Sequence, residues 1–194
     1  MNVWLVRHAQ PCIAPGVCYG ALDMAADPQA TERAARQLAS VLPRALTVQV
    51  SVLQRCEQLA QCLRGLRPDL VFKKEARLVE MNFGRWEGVP WSEVPRAALD
   101  RWTADFGAHR FGGVESANQL LQRVAAVWAD TLGSAPPGPP ADAVWITHAG
   151  VIRAATLLAQ GIHRLEQAAQ WPRVAPAFGQ WTVLAAGPRV TSDP

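Results

Sequence analysis

The sequence lacks the features that mark membrane proteins, disulfide-stabilised secreted proteins and nucleic-acid-binding proteins. It has no apolar run near the length needed to cross a bilayer, and no basic leader followed by an apolar stretch. Its four cysteines have neither metal-ligand spacing nor the density of a secreted disulfide scaffold: Cys12, Cys18, Cys56 and Cys62. The formal net charge is only +3 and the basic residues are scattered. We therefore expect a cytoplasmic protein with reduced thiols that binds neither nucleic acid nor membrane.

Size and composition favour one compact domain over residues 1–194. Hydrophobic residues make up 49% of the 194 residues and charged residues 18%, which excludes a disordered chain. The aromatic balance is unusual, with eight Trp and one Tyr. Tryptophans in such number are typical of a buried core and of pocket walls.

Two segments of similar pattern stand out near the two ends of the chain. In the first, the apolar strand Asn2–Val6 leads directly into Arg7 and His8, and in the second, strand Ala143–Ile146 leads through Thr147 to His148. Ligands of a parallel α/β sheet bind just beyond the carboxyl ends of its strands. The pattern therefore predicts that the two histidines meet in one phosphate-handling site.

The rest of the chain alternates between strand and helix patterns, which predicts a three-layer α/β/α sandwich with a mostly parallel central sheet. Asp27-Pro28 predicts a helix start, and Ser51 with Gln54 has the form of a capping box that places Arg55 in a first helical turn. Further predictions are strands at Leu46–Val50, Leu70–Phe72 and Phe178–Ala185 (an edge strand), helices over 91–106, 115–132 and 150–160, a connector over 133–140 and a loose tail beyond Gly187.

Phosphoryl transfer through a side chain needs a nucleophile, cations and an acid. Neutral imidazole can attack phosphorus at neutral pH, and phosphohistidine is reactive enough to hydrolyse. Arginine holds phosphate oxygens bidentately and stays charged. We favour His8 as the nucleophile, because Arg7 flanks it and the following loop, rich in Pro and Gly, leaves its approach open. Arg55 and His148 are then suited to binding the phosphoryl oxygens.

Four motifs in order resemble the histidine phosphatase superfamily, which includes phosphoglycerate mutases and α-ribazole phosphatases. They are Arg7-His8-Ala9-Gln10, Leu53-Gln54-Arg55, Glu80 with the segment Phe83–Gly88, and the run Thr147–Arg153. The resemblance covers about residues 2 to 185. It implies a phosphoglycerate mutase-like fold with no metal.

The resemblance also implies a role for each matching residue. His8 becomes phosphorylated, Arg7, Arg55 and His148 bind the phosphoryl group, and Glu80 is the proton donor. Glu87, seven residues further in the same loop, is the rival acid. Further candidates for binding substrate or phosphate are Gln10, Tyr19 and Ala149.

The sequence departs from the family pattern at two places. The family usually has two serines and a proline before the leucine of the Arg55 motif, whereas this chain has Val50-Ser51-Val52. Any phosphate contact from the first serine is therefore lost. After Asp23, where the family often has Pro-Leu-Thr, the chain reads Met24-Ala25-Ala26. Both changes affect loop geometry, and the reactive residues are all retained.

The interpretation is a monomeric or homodimeric phosphomonoester hydrolase acting on a small phosphorylated metabolite. The short chain, together with Gly16–Gly20 and Gly112–Ser116, looks more like α-ribazole phosphatases of cobalamin biosynthesis than like the mutases. Three alternatives stay open: a phosphoglycerate mutase-type phosphotransferase, a catalytically silent module that binds a phospho-ligand or a protein, and a nucleic-acid binder. Glu115 and Ser116 either cap the long helix or contact substrate.

Overall fold

The computed structural model describes residues 1–133 and 142–185, in which five strands form one sheet in the order β3-β2-β4-β1-β5. β1 is parallel to β4, β4 to β2 and β2 to β3, whereas β5 runs antiparallel to β1 at one edge. The strands are β1 Asn2–Arg7, β2 Thr47–Val50, β3 Val71–Lys74, β4 Ala143–Thr147 and β5 Trp181–Ala185. The sheet is therefore mostly parallel, as the sequence predicts.

Five α-helices and four 3-10 turns connect these strands in the described part of the chain. The helices are α1 Pro28–Val41, α2 Gln54–Leu66, α3 Arg96–Ala104, α4 Ala117–Gly133 and α5 Ala149–Ala159, and the 3-10 turns are Ala76–Leu78, Gly84–Trp86, Trp91–Glu93 and Ala168–Gln170. None of the described helices is long and apolar enough to cross a membrane. The predicted connector beyond Gly133 and the predicted tail lie outside the described residues.

The alternation of side chains along β1 creates one apolar core on each face of the sheet. Val3 and Leu5 pack with α4 and α5, whereas Val6 packs with α1 and α2 on the opposite face. Every residue of β4 is buried, as expected for a central parallel strand covered on both sides. The three-layer α/β/α arrangement is thus confirmed.

The pairing register of β1 and β4 decides where the site lies. Arg7 pairs with Thr147, so the next residues, His8 and His148, leave the sheet together at its carboxyl edge. The His8 N–H donates to the Thr147 carbonyl at 3.0 Å, which continues the ladder one residue beyond the strand. The prediction that the two histidines meet is confirmed by this register.

Helix starts follow the sequence signals in two of three cases. The Asp27 carboxylate accepts from the Ala30 N–H at 2.7 Å with Pro28 at the first turn, as predicted. At the start of α4, the Gln119 N–H donates to the Ser116 hydroxyl (3.3 Å) and the Ser116 N–H donates to the Gln119 side-chain oxygen (3.0 Å). Ser116 therefore caps this helix.

The predicted capping box of Ser51 and Gln54 is wrong. The Gln54 N–H instead donates to the Asp23 carboxylate from a distant loop (2.8 Å). The Ser51 hydroxyl lies against His148 Nε2 at 2.8 Å. A tertiary contact has therefore replaced the local cap, while Arg55 still lies in the first turn of α2.

Two other predicted elements have different bounds. The helix predicted over 91–106 is a 3-10 turn followed by α3, because Pro95 disfavours helical backbone at the preceding residue and stands as the N-cap of α3. The edge strand begins at Trp181 and not at Phe178. Phe178 remains outside the sheet and packs against the His8 ring instead, with ring centroids 5.5 Å apart.

Gly84 and Gly112 join two loops beside the site through a close backbone approach. Both have positive φ (52° and 83°), and the Arg85 N–H donates to the Gly112 carbonyl at 3.2 Å. A Cβ on Gly112 would collide with the carbonyl oxygen of Phe83. Gly16 has a similar φ of 81°, but a Cβ there would meet nothing within 4 Å.

We expect Gly112→Ala to destabilise the protein more than Gly16→Ala. Both variants place a side chain at positive φ, which costs about 1–2 kcal/mol. Only Gly112→Ala also forces two backbone segments apart, which costs about 1–3 kcal/mol more. Urea unfolding of both variants measures the difference, and equal free energies of unfolding would contradict the close approach.

Candidate active site

A cavity of about 230 Å³ lies at the carboxyl edge of the sheet, and we call it the central cavity. Six of the eight residues predicted for the site line it: Arg7, His8, Tyr19, Arg55, Glu80 and Ala149. Val17, Phe83, Trp91 and Arg153 complete its described wall. Residues from five separate regions of the chain therefore converge on one space.

The backbone fixes the tautomer of His8. Its Nδ1 lies 2.7 Å from the Ala9 carbonyl oxygen, which can only accept, so Nδ1 carries the proton of the neutral ring. Nε2 then holds the free lone pair. The side chain is buried, with 2% of the residue exposed, and Phe178 and His148 lie beside the ring.

Burial and neighbouring cations keep the His8 ring neutral. Desolvation, followed by the charge of Arg55, lowers the pKa of His8 to about 3. The hydrogen bond to Ala9 opposes this shift, and Arg7 adds to it. At neutral pH the ring is therefore a neutral base with an available nitrogen lone pair.

Arg55 enters the cavity from the first turn of α2 and is completely buried. Its terminal nitrogens donate to the carbonyls of Leu22 (2.8 Å) and Gly20 (2.5 Å). The N–H groups of the same two residues donate to the Glu87 carboxylate. The segment 20–22 is thus held between a cation on its carbonyls and an anion on its amides.

Arg7 lies at the end of β1 with its guanidinium over the Phe178 ring, 3.8 Å from the ring centroid. One terminal nitrogen donates to the Pro176 carbonyl at 3.0 Å. Burial lowers the pKa of Arg7, and Tyr19 and Glu80 oppose the shift. Tyr19 lies beside both Arg7 and Arg55, and burial raises the pKa of its hydroxyl.

Two glutamates were candidates for the acid, and their surroundings differ. Glu80 lines the central cavity and accepts from the N–H groups of Met81 and Gly150, both at 2.9 Å. A Cβ at position 150 would collide with the Glu80 carboxylate, so the approach of α5 requires glycine there. Glu87 instead accepts four backbone N–H groups, those of Gly20, Ala21, Leu22 and Phe83, and so holds loops together.

His148 is fully buried behind His8, with the two ring centroids 5.1 Å apart, and it is not part of the cavity wall. Its Nε2 contacts the Ser51 hydroxyl (2.8 Å) and Cys56 Sγ (3.5 Å). Burial raises the pKa of the Cys56 thiol, which therefore stays protonated. The pKa of His148 is lowered by burial and then by the adjacent His8 and Arg55. Its Nδ1 has no partner among the described residues.

Two of the predicted site residues, Gln10 and His148, lie outside the cavity wall, and four lining residues were not predicted: Val17, Phe83, Trp91 and Arg153. Gln10 is exposed and lies outside the cavity wall, with its backbone carbonyl accepting from the Asp27 N–H. Glu115 binds Arg123 (2.7 Å) and caps no helix through its side chain. Arg153 lines the cavity without having been predicted. It follows Ala149 by four residues on α5, so both share one helix face.

The central cavity holds an excess of positive charge. Arg7, Arg55 and Arg153 face one carboxylate, Glu80, among the lining residues that the structure describes. Each of the three arginines leaves a buried Nε without a partner in the described part of the chain. Buried charges and donors of this kind require compensation. The arrangement therefore suits a small anion with several acceptor oxygens.

No three His, Cys, Asp or Glu side chains within residues 1–133 and 142–185 lie together in a way that would hold a metal ion. The charged side chains of the central cavity are mainly cationic, since three arginines contribute to its wall.

We expect the buried histidines to make the protein less stable below pH 6.5. Unfolded histidine has a pKa near 6.5, whereas burial lowers the pKa of His8 to about 3 and also lowers that of His148. Below pH 6.5 the unfolded chain therefore binds protons that the native state excludes. The free energy of unfolding should fall by up to about 1.4 kcal/mol per pH unit for each histidine.

Urea unfolding between pH 7.5 and 5 measures this slope. His8→Gln should remove about half of the decline, whereas His163→Gln, at an exposed position, should leave it unchanged. A slope that is the same in wild type and His8→Gln would show that His8 protonates equally in both states.

Comparison with known proteins places this geometry in a family. The model of the histidine phosphatase superfamily (branch 1) matches residues 3–185. The structure of mycobacterial glucosyl-3-phosphoglycerate phosphatase is similar, with a TM-score of 0.77 and 25% identity over 96% of this chain and 90% of that one. A protein from Thermus thermophilus, TTHB049, is 27% identical over 94% and 92%, with a TM-score of 0.67.

A third similar structure, that of mycobacterial hydrolase 2, has a TM-score of 0.76 and 25% identity over 94% of this chain and 80% of that one. No curated protein matches the sequence. The family match covers nearly the whole chain and contains all four motifs that meet at the cavity. The chain belongs to the histidine phosphatase superfamily, branch 1.

Proposed function

We propose that this protein hydrolyses phosphomonoesters of small metabolites through a phosphohistidine intermediate on His8. The observation that carries the proposal is the neutral, backbone-oriented His8 ring in a cavity with three arginines and one carboxyl group, that of Glu80. These are the groups that phosphoryl transfer through a side chain requires. Membership of a family with phosphatase structural neighbours supports the same reaction.

In the first step, the Nε2 lone pair of His8 attacks phosphorus and the bond from phosphorus to the ester oxygen breaks. Glu80 gives its proton to the departing oxygen, which leaves as the alcohol. The Ala9 carbonyl accepts from Nδ1–H throughout, so it stabilises the positive charge that develops on the ring. His8 does not need to lose a proton before it attacks.

Arg7 and Arg55 bind the phosphoryl oxygens during this step. Both guanidiniums are already anchored on carbonyls, of Pro176 for Arg7 and of Gly20 and Leu22 for Arg55, so little side-chain entropy is lost when substrate binds. His148 lies behind the cavity wall, but its Nδ1 has no partner among the described residues and its ring lies beside His8, so we assign the Nδ1–H to a third oxygen of the phosphoryl group held at His8. The Ser51 hydroxyl then donates to Nε2, which fixes the ring in the tautomer that carries the proton on Nδ1.

In the second step, water attacks phosphorus from the side that the alcohol has left. The Glu80 carboxylate takes a proton from this water, and the bond between nitrogen and phosphorus breaks. Inorganic phosphate leaves, and His8 and Glu80 return to their starting states. The net reaction consumes one ester and one water and produces one alcohol and one phosphate.

For the natural substrate, we propose α-ribazole-5'-phosphate, which would place the protein in cobalamin biosynthesis. The support is the short chain and the segments Gly16–Gly20 and Gly112–Ser116, which flank the central cavity through Val17, Tyr19 and the loop joined to Gly84. A screen of α-ribazole-5'-phosphate, glucosyl-3-phosphoglycerate, nucleotides, sugar phosphates and phosphoglycerates tests this choice. A preference for another compound in the screen would show that the natural substrate is a different one, while the proposed reaction class would stay the same.

We expect His8→Asn to lower phosphate release by at least about 1000-fold, because the nucleophile is lost. In wild type, brief reaction with substrate labelled on phosphorus, followed by alkaline denaturation, should leave label on His8 that acid removes. His163→Asn, which changes an exposed histidine, is the matched control and should keep both activity and label.

Full phosphate release by His8→Asn would overturn the mechanism. Transfer of the label to a second hydroxyl of a phosphoglycerate, without release of inorganic phosphate, would identify a mutase instead. Absence of label and of turnover across the whole screen would identify a silent binding module.

We expect Glu80→Gln to lower kcat with an alkyl phosphate by about 100-fold to 10,000-fold, because the alcohol then leaves without a proton. With 4-nitrophenyl phosphate, the rate of the first step should fall much less, because nitrophenolate leaves readily as an anion. Pre-steady-state release of nitrophenol isolates that step. Glu93→Gln changes an exposed carboxylate and serves as the control. Equal losses with both esters would assign Glu80 to another role.

A further inference from the structure

Glu80 lines three neighbouring cavities, of which the central cavity is one. The second, which we call the aromatic cavity, measures about 170 Å³ and is lined by Met81, Phe83, Trp102, Phe106, Leu120, Gly150, Arg153 and Trp171 besides Glu80. The third, which we call the polar cavity, measures about 330 Å³ and includes Asn82, Glu115, Gln119 and Arg123. If Glu80 protonates the leaving oxygen, the organic part of the substrate begins beside Glu80, where both of these cavities adjoin the central one.

The aromatic cavity is the better continuation of the central cavity. The two share three lining residues, Glu80, Phe83 and Arg153, whereas the polar cavity shares only Glu80 with the central one. A group attached to the ester oxygen can therefore pass between Phe83 and Arg153 while the phosphoryl group stays against His8.

Arg123 and Glu115 of the polar cavity are already engaged with each other and with backbone groups. Arg123 binds the Glu115 carboxylate at 2.7 Å and donates to the carbonyls of Arg77, Val79 and Glu80. The second oxygen of Glu115 accepts from the Asn82 N–H. These contacts hold the Glu80 loop against α4. The ion pair of Arg123 and Glu115 is therefore bound to other groups of the protein and is not available to a ligand.

Two residues of the aromatic cavity wall, by contrast, carry unsatisfied donors. Trp102 Nε1 and Arg153 Nε are both buried without a hydrogen-bond partner among the described residues. A buried N–H without a partner costs free energy that a ligand acceptor would recover. The rest of the wall is made mainly of aromatic rings and of Met81 and Leu120.

The aromatic rings in the wall of the aromatic cavity pack against one another and against Phe111. Trp102 stacks on Phe111 (centroids 4.4 Å apart) and on Phe106 (5.4 Å), and Phe83 meets Trp102 edge to face at 6.1 Å. Phe106 contacts Trp171 at 5.7 Å. Such mutual packing keeps the rings in place, so the aromatic wall is preformed before a ligand binds.

We propose that the aromatic cavity binds part of the substrate's organic group, and that the bound part is a flat, mostly apolar ring with a hydrogen-bond acceptor for Trp102 Nε1. The volume of about 170 Å³ suits one ring, since an apolar cavity of about 150 Å³ holds benzene. This inference rests on the proposed function. It favours phosphomonoesters that carry an aromatic or heterocyclic ring, including the base of α-ribazole-5'-phosphate, over sugar phosphates without such a ring, whose hydroxyls would lose their hydration against aromatic walls.

Binding of non-hydrolysable phosphonates, measured by calorimetry, tests the inference separately from turnover. The three probes are 2-phenylethylphosphonate, 2-(pyridin-3-yl)ethylphosphonate and 3,4-dihydroxybutylphosphonate, in which carbon replaces the ester oxygen. We expect both ring compounds to bind at least about tenfold more tightly than the dihydroxybutyl compound. The pyridyl compound should exceed the phenyl compound by about threefold to tenfold, because its nitrogen accepts from Trp102.

Trp102→Phe keeps an apolar ring and removes the N–H, so it should abolish the advantage of pyridyl over phenyl. Trp4→Phe is the control, because the Trp4 N–H binds Asp142 at the amino end of the sheet, and this variant should keep the ratio. Equal affinity for all three phosphonates, or an unchanged pyridyl preference in Trp102→Phe, would overturn the inference. The proposed function is judged independently, by phosphate release that depends on His8.

Discussion

The parallel pairing of β1 with β4 is the constraint on which the site depends. Residues 7 and 147 are partners in the register, so His8 and His148 leave the sheet side by side although 140 residues separate them in the chain. A slip of one residue would turn Val6 and Ile146 out of their apolar core. The same burial that stabilises the sheet therefore also fixes the distance between the two imidazole rings.

Around this pair the fold keeps cations in place by using backbone groups instead of carboxylates. Arg55 and Glu87 bind opposite sides of the segment 20–22, and Arg7 binds the Pro176 carbonyl. Carbonyl oxygens orient a guanidinium without neutralising its charge. The central cavity thus retains the positive charge that an anionic substrate needs, and the same charges help to keep His8 neutral.

Local sequence patterns predict most of the framework because the core follows simple periodicity. Apolar runs mark the central strands β1 and β4, and the Asp27-Pro28 start of α1 is formed as its sequence indicates. The pattern fails where a distant group competes with a local one. Ser51 contacts His148 instead of capping α2, and Pro95 separates a 3-10 turn from α3. Nothing in residues 51–54 alone indicates which partner the hydroxyl will take.

The sequence by itself determined the alternating α/β framework, the pair of histidines at strand ends and the arginines that accompany them, because these features depend on short-range pattern and on motifs. Only the tertiary structure decided that Glu80 lies in the cavity while Glu87 binds loop amides, that Gln10 lies outside it, and that Arg153 belongs to its wall. The physical reason is that these outcomes depend on loop paths. Loop paths are set by long-range contacts, such as the approach of Gly150 to Glu80 and of Gly84 to Gly112, which no local pattern encodes.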